Sequence, residues 1–346
     1  MLVVVGTLPP NRCGVGNYTR TLAAAFARRS DLEVAVMAVG GSPTIALPGW
    51  RWRDTFSILR RIRRWRPDLV HFQYPSFGYG RHRLPYVLPL LCRFMGLRVI
   101  ETWHEPRPRA EAGDIVNARI TSALIVQRQD FAERTSPRVM RILARKPLVF
   151  IPHEATIPLA RLSDEQRARV RERFGANGRR LIAYFGFAYP HKGIEQLFEI
   201  CDPVRDAIVL ACELDERDEY PRRIRELAAG WGGPSVVTGY LAEEDAAEIL
   251  AAADAVVLPF RGGSVESNST VHGASLQGTF VLTTSAERRG YDPAMNVYAA
   301  KPDDLDELRA ALEQYAGTRL EPRDPAARWD GIAAAHAELY RTVMAR

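Results

Sequence analysis

The sequence predicts an α/β protein of two successive doubly wound domains, each a parallel sheet covered by helices on both faces. Three observations predict it. Short apolar runs alternate with helical patterns along the chain, the alternation restarts after a proline-bounded polar stretch near 152–158, and 346 residues exceed one ordinary hydrophobic core.

The first domain is expected over 1–152. Val3, Val4 and Val5 make a buried strand, and a Pro/Gly loop leads into a helix whose Tyr18, Leu22 and Phe26 recur at helical spacing. A strand at 32–39 and a helix at 54–65 follow, then the strand Asp68-Leu69-Val70-His71-Phe72. Helix 85–94, strands 97–102 and 123–126, helix 136–145 and strand 148–151 complete the domain. Strands separated by helices imply right-handed crossovers and hence a parallel sheet.

Pro152-His153-Glu154 and Pro158 mark a hinge over 153–162, because proline-bounded polar residues stand between a strand and the charged helix 163–174. A second domain over 163–325 then repeats the alternation. Its strands are 181–185, 207–211, 235–238, 255–258 and 279–283, with helices near 192–200, 219–229, 243–252, 268–277 and 303–317. A final segment, 326–346, carries an amphipathic helix expected to pack back on the first domain. Two such domains place a functional crevice at the carboxyl ends of facing sheets.

Composition narrows the function classes. A hydrophobic content of 47% with 25% charged residues is that of a soluble globular protein, and no run of about 18 uncharged apolar residues suggests a membrane span. The first residues read as a strand rather than a signal peptide. Cys13, Cys92, Cys201 and Cys212 lack metal-ligand spacing and suggest a reducing cytoplasm without a disulfide framework. No metal site is expected. The net charge of +6, carried mostly by arginine, suits anionic partners, but no nucleic-acid recognition module accompanies it.

Four groups of residues can carry chemistry. Pro9 to Tyr18 holds Gly14 and Gly16 between a strand and a helix start, where backbone can approach a ligand closely; Thr19 stands where the dinucleotide fingerprint needs a third glycine. His104 and Glu105 follow a buried strand and can bind a sugar hydroxyl or move a proton. Gly186, His191 and Lys192 occupy a strand-to-helix loop, where a compact cation can meet a diphosphate. Ser267, Asn268, Ser269 and Thr270 are helix-capping residues after the strand 255–258, so N–H groups should converge there on an anion. Each group also has a plain structural reading as a turn or cap. The basic run Arg60, Arg61, Arg63, Arg64 and Arg66 reads as the solvated side of a crossover helix, with peripheral contact to an anionic membrane as the alternative.

Taken in order, these residues resemble the family-4 retaining glycosyltransferases of the GT-B architecture over essentially the whole chain. Gly14-Val15-Gly16-Asn17-Tyr18 resembles their amino-terminal glycine loop, Pro67-Asp68-Leu69-Val70-His71-Phe72 their second-helix-to-strand passage and His104 their crevice histidine. Lys192-Gly193 resembles their phosphate element, the run from Gly239-Tyr240-Leu241 to Pro259 the approach to their nucleotide loop, and Pro302-Asp303-Asp304 their late Pro-x-Asp turn. Two positions depart from the pattern. Val265 and Gly273 stand where a pair of glutamates is usual, with Glu266 and His272 one residue away, and Phe187 follows Gly186 where an arginine is common. On a helix a one-residue shift turns a side chain by about 100°. Arg261 or His191 can supply the missing charge.

The resemblance implies transfer of a hexose, with retention, from a UDP- or GDP-sugar held mainly by the second domain to a glycan, lipid-linked or small-molecule acceptor on the first. It further implies no metal or other cofactor, cytoplasmic bacterial polysaccharide or glycoconjugate synthesis, and catalytic work by His104, Lys192 and Glu105. Donor contacts are expected from Gly14, Gly16, Gly186, His191, Lys192, Arg261, Glu266, Ser267, Asn268, Ser269 and Thr270. The alternatives are a sugar-nucleotide epimerase and a catalytically reduced relative acting as a binding or partner subunit.

Overall fold

The computed structural model describes residues 1–264, 268–287 and 289–346. They form two compact units, Met1–His153 with Ala326–Arg346, and Glu154–Pro325. The division falls between His153 and Glu154. Residues expected as a hinge belong largely to the second unit, where the Ala160 N–H donates to Gln277 Oε1 (2.9 Å) and Gln277 Nε2 donates to the Pro158 carbonyl (2.8 Å).

In the first unit the strands are β1 (Leu2–Val4), β2 (Ala35–Ala38), β3 (Ile45–Ala46), β4 (Leu69–Tyr74), β5 (Arg98–Trp103), β6 (Ala123–Val126) and β7 (Leu148–Phe150). They form one sheet in the order β3-β2-β1-β4-β5-β6-β7, and all its pairs are parallel. Helices α1 (Gly14–Ala27), α2 (Thr55–Trp65), α3 (Leu84–Phe94), α4 (Ala112–Ile120), α5 (Phe131–Arg134) and α6 (Pro137–Leu143) make the crossovers. Helix α4 is an addition to the sequence reading. Its start is legible as a box in which the Glu111 N–H donates to Asp114 (3.0 Å), and its Ile115 and Ala118 are buried. In α2, Ile58 and Ile62 face the core while Arg60, Arg61, Arg63 and Arg64 are exposed.

The second unit repeats the plan with helices α7 (Asp164–Arg173), α8 (Gln196–Ile200), α9 (Glu219–Gly230), α10 (Glu243–Ala252), α11 (Ser269–Leu276) and α12 (Leu305–Tyr315). Its strands are β8 (Arg180–Phe185), β9 (Asp206–Ala211), β10 (Ser235–Val237), β11 (Ala255–Leu258), β12 (Phe280–Thr284), β13 (Gly290–Asp292) and β14 (Val297–Ala300). The order is β10-β9-β8-β11-β12-β14-β13, antiparallel only between β13 and β14. That terminal hairpin was not read from the sequence, because its residues are half-buried and lack a strong apolar run. The expected helix near 192–200 is divided: 190–192 is a single 3-10 turn, and α8 begins four residues later.

The last helix, α13 (Ala326–Met344), packs on α1 within the first unit, burying Trp329, Ile332 and Tyr340 with Tyr18, Leu22 and Phe26. Buried polar groups tie it to the sheet: His71 bonds Tyr340 Oη through Nδ1 and Thr102 Oγ1 through Nε2, each at 2.8 Å. The four cysteines are buried and free. Among the described residues no helix is long and apolar enough to cross a membrane.

Candidate active site

In each sheet the strand order reverses beside the first strand, and in open parallel sheets ligands bind where the loops leave that reversal. In the second unit this point lies between β8 and β11. The loops 186–193 and 259–264 leave it side by side: the Arg261 N–H donates to the His191 carbonyl (3.0 Å). Arg261 and His191, the two alternatives for the missing charge, thus lie on adjoining backbone, with Lys192 next to His191.

Gly193 holds the arrangement. Its φ is +65°, and a Cβ there would stand 2.3 Å from the Pro259 carbonyl oxygen, so only glycine fits. Lys192, directly before it, sets its ammonium 4.5 Å from the centre of the Phe260 ring. Gly186 is explained by its backbone, with φ +133°. Phe187 and Tyr189 are each 49% exposed, and Tyr189 stacks on His191 at 5.7 Å. Burial and then the Lys192 charge lower the His191 pKa.

Arg261 does not stand as an uncompensated cation. Its guanidinium bonds Glu195 and, at 2.7 Å, Asp303 Oδ1. Glu195 is 7% exposed and also accepts from Tyr220 Oη at 2.6 Å. Burial raises the Glu195 pKa, yet the Arg261 and Tyr220 bonds outweigh it and leave the carboxyl below its ordinary value. Gln196 Nε2 closes the cluster by donating to Asp303 (3.1 Å). These four partners were not singled out from the sequence. The Pro302-Asp303 turn was noted, but its pairing with Arg261 joins residues 42 apart in sequence.

The start of α11 carries its own cap. Asn268 Oδ1 accepts from the N–H groups of Thr270 (3.0 Å) and Val271 (3.3 Å), the groups expected to meet phosphate. A phosphate must therefore displace Asn268. Ser269 opens the helix, whereas Glu266 and Ser267 lie outside the described residues. Gly273, at the position of the usual ribose glutamate, faces the chain's own Ala155 and Ile157: a Cβ would meet Ile157 at 3.6 Å. His272 sets Nδ1 3.3 Å from Glu154 Oε1.

In the first unit, the two glycines of the amino-terminal loop separate by cause. A Cβ on Gly16 would lie 2.4 Å from the Thr7 carbonyl oxygen, whereas a Cβ on Gly14 would meet nothing within 4 Å. Cys13 caps α1 by accepting from the Gly16 N–H. Tyr18 of α1 meets the His104 ring edge-on at 5.2 Å. His104 Nε2 lies 2.9 Å from Gln73 Oε1, and Nδ1 lies 2.6 Å from the Gln127 side-chain amide. Burial, then His153, pushes its pKa down to about 3, so the ring is neutral and one nitrogen must accept. Both ring nitrogens face glutamine oxygens, and a neutral ring carries one N–H, so it donates to one of them and the other amide turns its NH₂ to the remaining nitrogen. His104 is a fixed neutral donor rather than a ready proton shuttle. Glu105, next to it, is exposed.

No protein-family model matches the chain. Over 254 residues it is 24% identical to the alpha-D-kanosaminyltransferase of Streptomyces kanamyceticus, covering 67% of this chain but only 62% of that protein. Sucrose-phosphate synthase from Thermosynechococcus elongatus is similar in structure, with a TM-score of 0.71 at 17% identity over 99% of this chain and 98% of that one. Anabaena HepE in complex with UDP-glucose follows at TM-score 0.68 and 14% identity, covering 99% and 98%. A UDP-N-acetylglucosamine 2-epimerase of Listeria monocytogenes, described as putative, gives 0.62 at 13% identity, covering 99% and 97%. With two Rossmann-like sheets that share the same reversal beside the first strand, this chain has the GT-B fold.

Proposed function

We propose that this chain is a glycosyltransferase that moves a hexose, with retention of configuration, from a nucleotide-diphosphate donor to a glycan, lipid-linked or small-molecule acceptor. The observation that carries the reading is Lys192 at the switch point of the second sheet, its ammonium over the Phe260 ring and its neighbour Gly193 packed on the Pro259 carbonyl. Negative charge develops on the departing diphosphate, and a preorganised ammonium lowers that barrier without reorganising during the reaction. The bond from the sugar's anomeric carbon to the diphosphate oxygen breaks as the acceptor oxygen bonds on the same face, and the acceptor proton passes to the departing phosphate. The N–H groups of Thr270 and Val271 add to the phosphate site by exchanging Asn268 for a phosphate oxygen. Neutral His104 donates to a sugar hydroxyl by exchanging the glutamine oxygen that its single ring N–H meets in the free protein. Exposed Phe187 and Tyr189 offer ring faces to a base. The UDP-glucose complex of HepE makes UDP-sugars the first donors to try.

The test is a thermal-shift screen of UDP- and GDP-sugars, followed by turnover of Lys192→Ala with the donor that binds. Loss of one such electrostatic contact should cost roughly 100–1,000-fold in kcat. Full turnover by the variant would sink the mechanism, and loss of turnover in EDTA would overturn the metal-independent form proposed here. A second reading, a relative that binds donor without turnover, is favoured by the pairing of Arg261 with two carboxylates and by the self-capped α11. Donor binding without transfer to any acceptor class would support it.

A further inference from the structure

In the first unit the loops that follow β1, β2, β3 and β4 enclose a cavity of about 770 Å³, inside the usual range of small-ligand sites. It opens at the β1–β4 reversal, where the sheet topology favours a ligand. The floor is rigid and aromatic. Trp50 is 3% exposed, donates Nε1–H to the Gly6 carbonyl (3.0 Å) and meets Tyr79 edge-on at 5.0 Å. Gly78 lets the β1 and β4 loops touch, since a Cβ there would stand 2.5 Å from the Thr7 nitrogen.

The rim is basic. Arg12, Arg51, Arg53 and His82 line it, and among the described lining residues the one carboxylate is Asp54. Asp54 Oδ2 accepts from the Arg51 backbone N–H (2.9 Å), and its Oδ1 lies 4.0 Å from Arg53 Nε. Among the described residues the Arg51 guanidinium has no carboxylate within salt-bridge distance. Phe77, which lines the cavity, is 80% exposed, and Trp52, outside the lining but between the two arginines in sequence, is 58% exposed. Crowded guanidiniums repel one another unless an anion joins them, and their planar forks match phosphate oxygens. Exposed aromatics beside them cover a sugar face or an acyl chain.

We propose that this cavity binds a phosphate-bearing acceptor, a sugar phosphate either free in solution or carried as the head group of an anionic lipid. The word acceptor rests on the glycosyltransferase reading; the phosphate site does not. The test is calorimetric titration with a panel of hexose 1- and 6-phosphates beside the parent hexoses. In parallel, the protein is co-sedimented with phosphatidylcholine vesicles with and without phosphatidylinositol, whose phosphate carries a sugar-like ring. Binding of the phosphates but not the hexoses, weakened about tenfold or more by R51A/R53A, supports the free source. Binding only to the anionic vesicles, lost in R51A/R53A and in Phe77→Ser, supports the lipid-borne source. No binding in either arm, or binding that the double variant leaves unchanged, overturns the proposal. Nucleotide-sugar stabilisation measured on the same samples shows that the double variant is folded. If phosphate binding persists while every nucleotide sugar fails, the transferase reading falls and the phosphate site stands.

Discussion

Gly14 and Gly16 stand two residues apart in a loop that reads as ligand-facing, yet they should respond oppositely to alanine. At Gly16 the added Cβ would lie 2.4 Å from the Thr7 carbonyl oxygen, while such contacts ordinarily begin near ~3.3 Å, so backbone must separate from backbone by about 0.9 Å. Overpacking of that kind costs about 1–3 kcal/mol, here toward the upper end because no side chain can rotate away. Alanine returns up to about 1 kcal/mol of helix propensity, leaving a loss of roughly 2 kcal/mol. At Gly14 nothing stands within 4 Å, so the propensity gain remains and nothing opposes it. For a domain of 150–250 residues, about 2–4 °C of melting temperature accompanies each kcal/mol. Gly16→Ala should therefore melt about 4–8 °C lower, and Gly14→Ala at or up to about 4 °C above the parent. Turnover supplies the second axis: Gly14→Ala should lose activity despite its stability, because the open space is where ligand approaches. Differential scanning calorimetry with turnover on the same preparations decides it. A Gly16→Ala protein as stable as the parent would refute the packing argument, and a fully active Gly14→Ala would refute the ligand argument.

Asn268→Ala removes the cap of α11 and should cost about 0.5–2 kcal/mol in the free protein, with the deficit narrowing under saturating donor as phosphate takes the freed N–H groups. A deficit that donor leaves unchanged would count against phosphate at this helix start. Arg261→Ala strips Glu195 of its cation and should cost about 1–3 kcal/mol, kept modest because Arg261 is 44% exposed. Since the folded Glu195 pKa is lowered, that contribution is present above the ordinary carboxylate range and lost as pH falls through the folded value; urea unfolding at neutral and at strongly acidic pH should show the deficit shrinking. Burial holds His71, His104 and His336 neutral, the latter two at about 3 and about 4, so the unfolded chain binds protons the folded one refuses. The first unit should lose stability steadily as pH drops below about 6.5, approaching ~4 kcal/mol per pH unit for three protons, and a melting profile flat from neutral to mildly acidic pH would contradict it.

Much of the fold is legible in the chain because parallel strands buried on both faces leave continuous apolar runs such as 207–211 and 255–258. The edge hairpin β13–β14 is not, since half-buried strands need no such run. Of the candidate site, Lys192-Gly193 is readable as a loop at a helix approach, but its pairing with Pro259 depends on two loops meeting. Arg261 reads as a spare cation only until Glu195 and Asp303 are brought to it.

Local sequence determined where strands, turns and caps form, because apolar period, glycine and capping residues act over a few neighbours. It also determined that a doubly wound sheet would result twice. Tertiary structure decided which charges remain available, since ion pairs join positions 42 and 66 residues apart. It decided that Gly16 serves packing and Gly14 does not, and that Gly273 faces Ile157 where the family the sequence resembles usually has a glutamate. Such distinctions rest on sub-ångström distances between segments remote in sequence, and no periodicity encodes them.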